Sequence, residues 1–214
     1  MDKVDVFVLL DNVQFKKNEF QNRNKIRTAD GWMWLTVPVR FSFGDKIIDV
    51  KIDNKHDWQK KHLYTLQTNY GRADFFKEYY PQFERLYKRE FDMLSPLNYE
   101  TIMLIKKFFS IKSEIVMASS IPDLSNDPTQ RLIDICRYFN ADTYLAGAGG
   151  KGYMECSRFI DAGIKLSFQH FAHPEYEQIY GKFEPYMSSI DFIFNLGNNF
   201  DMVRVLNRDI EEYK

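Results

Sequence analysis

The chain has 214 residues, enough for one large domain or two small ones, and its 44% hydrophobic and 28% charged residues are the ordinary mix of a globular protein. Its 29 basic and 30 acidic residues are interspersed for a net charge of -1, so no polybasic arm offers a footprint for nucleic acid. No apolar run reaches the length of a membrane span, no basic region precedes the first apolar run as in a signal peptide, and neither Cys136 nor Cys156 belongs to a Cys-x-x-Cys pair; the expectation is a cytoplasmic protein with two reduced thiols.

Residues 4–10 are nearly unbroken in apolarity, the pattern of a strand covered on both faces in a parallel sheet. Residues 12–20 read as a loop. Residues 22–27 and 32–39 read as strands joined around Asp30-Gly31, a hairpin signal, and 47–52 as a further strand. Three helices follow. The first covers 57–70 and is stopped by Gly71, the second covers 73–90 with a candidate break at Pro81, and the third covers 96–109. His56 and His62 fall on a charged helix face and read as solvated.

The C-terminal half alternates. A strand at 114–118 leads to a helix capped by Asp127 with Pro128 at its first position, then a strand at 143–146, a glycine turn at 147–152, a helix at 154–162 and a strand at 165–171. That order is the signature of a parallel sheet with right-handed crossovers. The expected fold is a single α/β domain over 1–214, with a mostly parallel sheet, a β-hairpin and a helical insertion or cap at about 55–110.

Two polar clusters stand out, Asp11-Asn12-Val13-Gln14-Phe15 at the end of the first strand and Gln21-Asn22-Arg23-Asn24 at the start of the next. A buried amide without partners costs a few kcal/mol, so this concentration points to a site that reads a polar ligand, with Arg23 as a fork for phosphate or carboxylate. The alternative is that the amides pair with backbone at the hairpin. Gly147-Ala148-Gly149-Gly150-Lys151-Gly152 matches G-x-G-x-x-G, but the next strand ends Gln169-His170-Phe171, with no acid to hold a ribose, so NAD is not expected. Two readings of the turn stand level: phosphate held by backbone N–H groups and Lys151, or a tight turn that needs glycine geometry. His170 and His173 lack an obvious third metal ligand; no metal site is expected, and His173 is a candidate general acid or base. Ser188 to Asp191 reads as the capped start of a buried helix, with a pocket-facing Asp191 as the lesser alternative. The sequence contains no Gly-x-Ser-x-Gly and no Walker A motif.

Asp5-Val6-Phe7-Val8-Leu9-Leu10-Asp11-Asn12-Val13-Gln14-Phe15, Gln21-Asn22-Arg23-Asn24-Lys25-Ile26 and Trp34-Leu35-Thr36-Val37-Pro38-Val39 together resemble the WbqC-like family. Tyr144-Leu145-Ala146-Gly147, Tyr153-Met154, His173-Pro174-Glu175-Tyr176-Glu177-Gln178 and Ser189-Ile190-Asp191-Phe192-Ile193-Phe194-Asn195-Leu196-Gly197 carry the resemblance over nearly the whole chain. It implies a bacterial or archaeal cytoplasmic protein associated with surface polysaccharide such as O-antigen. Joined to the polar clusters, it gives the favoured expectation: a transferase that moves an acyl or aminoacyl group onto a sugar nucleotide or amino sugar. Asp11 and His173 would be catalytic. Gln14, Asn22, Arg23, Asn24, Gly147, Lys151, Tyr153 and Gln178 would bind a small-molecule substrate, a nucleotide being the one candidate cofactor. The alternative is a non-catalytic binding or scaffold subunit of a polysaccharide-synthesis assembly. The resemblance also implies a strand and a His-Gln-Pro turn ahead of the Asp-Val-Phe-Val stretch, which this chain, starting at Met1, does not show. If that strand lies beside residues 4–10, they keep an unpaired apolar edge, and dimerisation or low solubility is expected.

Overall fold

The computed structural model describes residues 1–207 and 209–213. In chain order its elements are β1 (Val6–Leu9), β2 (Arg23–Thr28), β3 (Gly31–Thr36), β4 (Val39–Arg40), a 3-10 turn (Ile47–Asp49), β5 (Lys51–Ile52), α1 (Trp58–Tyr70), α2 (Phe76–Tyr87), α3 (Leu94–Phe108), β6 (Glu114–Met117), a second 3-10 turn (Ala118–Ser120), α4 (Pro128–Tyr138), β7 (Thr143–Gly147), a third 3-10 turn (Ala148–Gly152), α5 (Ser157–Asp161), β8 (Lys165–Gln169), α6 (Ser189–Leu196), α7 (Asp201–Leu206) and β9 (Ile210–Glu212). The class is mixed α/β, as the sequence pattern indicates, on small sheets. The chain divides into two compact units. One comprises Met1–Leu10, Ser113–Pro174 and Asp201–Lys214; the other comprises Asp11–Lys112 and Glu175–Phe200.

The first unit holds the parallel pairs. β1 runs parallel to β6, from Val6↔Glu114 to Leu9↔Met117, and β7 runs parallel to β8, from Thr143↔Lys165 to Gly147↔Gln169. β9 joins β8 antiparallel; its Ile-Glu-Glu sequence is too short and too polar to announce a strand. The core packs Leu132, Ile133 and Cys136 of α4 against Phe159 of α5 and Leu166 and Phe168 of β8. Burial pushes the Cys136 thiol up to about 11, so it stays protonated and inert. α4 starts as expected. The Asp127 carboxylate accepts the Gln130 N–H at 2.7 Å, with Pro128 at N1, a cap worth about 1 kcal/mol. α5 is shorter than the sequence suggests, because Met154 N–H bonds back to Gly150 O and Glu155 N–H to Thr129 Oγ1 before the helix begins.

The second unit contains the hairpin, the helical stretch and α6. β2 and β3 pair from Arg23↔Thr36 to Thr28↔Gly31, which puts the two turn residues at Ala29 and Asp30, one position earlier than the sequence reading. Gly31 leaves the turn at φ +127°, where a side chain would be strained. Residues 47–52 are not a continuous strand: Ile47 N–H bonds to Val13 O and Ile48 N–H to Asp11 O, folding the first half into a 3-10 turn. α2 also differs from expectation, running unbroken through Pro81. The lost N–H is offset by a buried stripe of Phe76, Tyr79, Phe83 and Leu86, whose Phe76 and Phe83 rings sit 5.0 and 5.5 Å from that of Phe194. His62, read as solvated, is buried: Nε2–H donates to Thr36 O at 2.9 Å and Nδ1 accepts from the Tyr87 hydroxyl at 3.2 Å. Burial drives its pKa down to about 4, so one neutral tautomer satisfies both partners.

Candidate functional site

β7 delivers the chain into the glycine turn. Gly147 has φ -70°, and none of Gly149, Gly150 and Gly152 is left-handed. A Cβ on Gly150 would meet Met154 Cε at 2.7 Å, Ala146 Cβ at 3.1 Å and Phe168 Cε1 at 3.3 Å, so packing requires glycine there. At Gly147, Gly149 and Gly152 an added Cβ would meet nothing within 4 Å. Packing thus requires one glycine of the four, and the other three have room for a side chain.

Lys151, within the turn, places Nζ 3.0 Å from Glu211 Oε1 and 4.9 Å from the centre of the Phe168 ring. His170, at the end of β8, reaches the other oxygen of Glu211 through Nε2. Hydrogen bonds from His170 and then Lys151 hold the Glu211 carboxyl below the usual range. All three side chains are about half exposed, so the cluster adds little stability and its members can exchange partners with a ligand. Tyr153 stands exposed two residues after Lys151. His173 places Nδ1 2.8 Å from the carbonyl of Pro174; that contact requires Nδ1–H and makes Nε2 the acceptor nitrogen.

The hairpin residues lie in the other unit. Strand alternation puts Arg23 and Lys25 on one face with Trp32 and Trp34, and Asn24 on the opposite face. The Arg23 guanidinium lies 4.1 Å from the centre of the Trp34 ring and Lys25 Nζ 3.9 Å from that of Trp32. Such exposed cation–π contacts are worth about 0.5–1 kcal/mol each. Arg23 also donates to Asn18 O. Asn22 closes the open end of the hairpin: its side-chain amide donates to Val37 O at 2.9 Å and its backbone carbonyl accepts Val37 N–H at 2.8 Å. Asn24 Oδ1 accepts the Lys25 N–H at 2.8 Å. Gln14 is exposed and bridged to Lys46, and Asp11 is 4% exposed.

A buried polar network holds the rest of this unit. Asp191 is fully buried; Oδ1 accepts the Tyr70 hydroxyl at 2.8 Å, and Oδ2 accepts the Tyr176 hydroxyl at 2.8 Å and Gln178 Nε2 at 2.9 Å. Burial raises its pKa, against the pull of these donors. Gln178 spends its remaining capacity on Glu184, donating to O at 3.0 Å and accepting N–H at 2.8 Å. Ser188 caps α6 as the sequence suggests. Arg27, which no motif marked, is 5% exposed and donates to the carbonyls of Thr28, Gly31, Tyr180 and Lys182. The available signal for this network was the acid inside Ile-Asp-Phe-Ile-Phe, since a carboxylate on an apolar helix must find buried donors.

A family model described as the WbqC-like protein family matches residues 1–201. A protein of Mycobacterium tuberculosis (strain ATCC 25618 / H37Rv), described as uncharacterized, is 32% identical over 198 residues, covering 91% of this chain and 85% of the relative. No solved structure matches the chain.

Proposed function

The chain belongs to the WbqC-like protein family, and on that premise we propose that it works in surface-polysaccharide synthesis, binding a sugar nucleotide or amino sugar at residues 147–152. The observation that carries this reading is the three glycines with negative φ and open space where a Cβ would be. Glycine weakens a chain entropically, and its use here is to let a ligand approach the backbone N–H groups. Lys151 supplies the charge for a phosphate, passing from Glu211 to the ligand, and Tyr153 offers a flat wall for a ring. The proposed reaction is acyl or aminoacyl transfer from a thioester or ester donor to an amine or hydroxyl of the sugar: as the new acyl bond forms and the donor's acyl bond breaks, His173 Nε2 takes the proton of the attacking group and returns it to the departing thiol or alcohol. In the other unit, Arg23 has no carboxylate partner among the described residues and offers a separate contact for an anion.

A specific observation favours the alternative of a non-catalytic binding subunit. The carboxylate whose pKa burial raises, Asp191, is locked away from any substrate by three donors. Calorimetric titration of UDP-N-acetylglucosamine and a UDP-linked amino sugar tests the site that both readings share. Binding is expected to the native chain and not to Gly149→Val of equal melting temperature. Equal binding by both, or by neither, rejects the site. Acetyl transfer from acetyl-coenzyme A to the amino sugar distinguishes the transferase from the binding subunit.

A further inference from the structure

One face of the β2-β3 hairpin is built of cations and indoles. The register sets Lys25 opposite Trp34 and Arg27 opposite Trp32, with Arg23 in the same row. Phe20, from the loop before β2, closes on Trp34 with ring centres 5.5 Å apart, and Trp32 meets Trp34 edge to face at 5.6 Å. With Arg23 over Trp34 and Lys25 over Trp32, the five side chains form one unbroken cluster. Phe20 is 59% exposed and Trp32 41%, although rings of this size are ordinarily mostly buried.

The fold treats the three cations of the row differently. Arg27 is buried and spends its N–H groups on four carbonyls. Arg23 has the single carbonyl of Asn18, and among the described residues the Lys25 ammonium has no hydrogen-bond acceptor and neither side chain has an ion-pair partner. Two like charges two residues apart on one face repel until a counter-charge covers them. The imbalance is wider than the pair: residues 12–46 hold seven basic residues against three acidic ones, in a chain whose net charge is -1. The complement of this face is an anion from outside the chain.

Its form selects the kind of anion. The face is one side of a two-stranded sheet, a shape that meets a plane. Each indole already carries a cation against its ring, at 4.1 Å on Trp34 and 3.9 Å on Trp32, where a sugar or a base would otherwise stack. An indole beside an ammonium or guanidinium suits a bilayer interface, with the ring below the headgroups and the charge among their phosphates. We propose that this face docks the protein on a bilayer surface rich in anionic lipid. Phe20 and Trp32 enter the headgroup layer, and Arg23 and Lys25 meet lipid phosphates. The docking face shares no residue with the glycine turn, so it goes beyond the sugar-binding reading and does not depend on it.

Sedimentation with vesicles tests this on the whole chain, using phosphatidylcholine alone and phosphatidylcholine with about one-third phosphatidylglycerol. Binding is expected to the mixed vesicles only, and it should fade as salt is added. Arg23→Gln and Lys25→Gln should each weaken it about fivefold while the chain stays folded by its melting curve. Trp58, the third tryptophan, is 3% exposed, so a blue shift of the native emission that bromine-labelled lipid quenches reports Trp32 and Trp34 without any variant. No binding to mixed vesicles, or binding that both glutamine variants leave intact, overturns the proposal. Equal binding to uncharged vesicles that Phe43→Ser removes gives the contact to the loop after β4, where Phe43 is 99% exposed, and overturns it too. Binding of hyaluronan in place of vesicles, lost in the glutamine variants, gives the face to an acidic polysaccharide and likewise overturns it.

Discussion

The hydroxyl of Tyr70 donates to Oδ1 of Asp191 over 2.8 Å, tying α1 to α6 across 121 residues of sequence. The Tyr70 hydroxyl oxygen in turn accepts the backbone N–H of Arg27 at 2.8 Å. One phenol thus links the hairpin, the helical stretch and the buried carboxylate, and it is wholly buried. Tyr70→Phe removes a donor and an acceptor in one step and leaves the Asp191 carboxylate and the Arg27 N–H short of partners. The expected loss is about 2–3 kcal/mol in urea unfolding, with an unchanged m-value. A loss under about 0.5 kcal/mol would show that water reaches the site.

His62 makes stability depend on pH. Its pKa is lowered from 6.5 to about 4 in the folded state by burial. Between these values the unfolded chain takes up a proton and the folded chain does not, so stability is full above pH 6.5 and falls as pH drops toward 4. The contribution lost approaches about 3 kcal/mol. In His62→Gln, whose amide can still donate to Thr36 O, the difference in midpoint from the native chain should shrink steadily across that window. A constant difference would mean that folding leaves the pKa of His62 unchanged.

Two neighbouring glycines should respond oppositely to alanine. Gly150→Ala forces a methyl against Met154, Ala146 and Phe168 and should cost about 1–3 kcal/mol. Gly149→Ala meets nothing and should be neutral or gain about 0.5 kcal/mol from the unfolded state. Melting temperatures of the pair decide it, and equal losses would contradict the open geometry of the turn.

Gly197 closes α6 at φ +63° and ψ -138°, with a Cβ position 2.8 Å from Phe75 Cδ1. Gly197→Ala combines backbone strain with a ring displacement and should cost at least about 2 kcal/mol. Adding Phe75→Leu should recover the steric part only, which a double-mutant comparison of unfolding midpoints reads directly.

Much of the architecture was legible because local chemistry and tertiary packing agree. The Asp127-Pro128 cap, the hairpin and the strands β1, β6, β7 and β8 are marked by spacing and turn residues; which strand pairs with which is not. Disagreement arises where distant partners decide. Residues 47–52 alternate like a strand, yet carbonyls of Asp11 and Val13 draw the first half into a turn. His62 looks solvated beside Lys60 and Lys61, yet Thr36 and Tyr87 enclose it. The polar clusters were visible as composition, but composition cannot say that Asn22 closes a hairpin or that Gln178 serves Asp191. Glycines in the 147–152 turn were visible as a motif; only backbone angles and neighbouring atoms distinguish the one required by packing from the three that are not.

The division of the chain into units has a consequence for synthesis on the ribosome. The segments alternate, so the polypeptide leaves one unit and re-enters it, and each unit is finished only by a late piece, Glu175–Phe200 for one and Asp201–Lys214 for the other. A nascent chain that has emerged only through Pro174 lacks Asp191, so the Tyr70 hydroxyl waits without its acceptor, and β8 waits without β9. By then the first unit already holds every residue of its α4, α5 and β8 core, whereas the second still lacks α6 and the Phe194 ring that packs against Phe76 and Phe83.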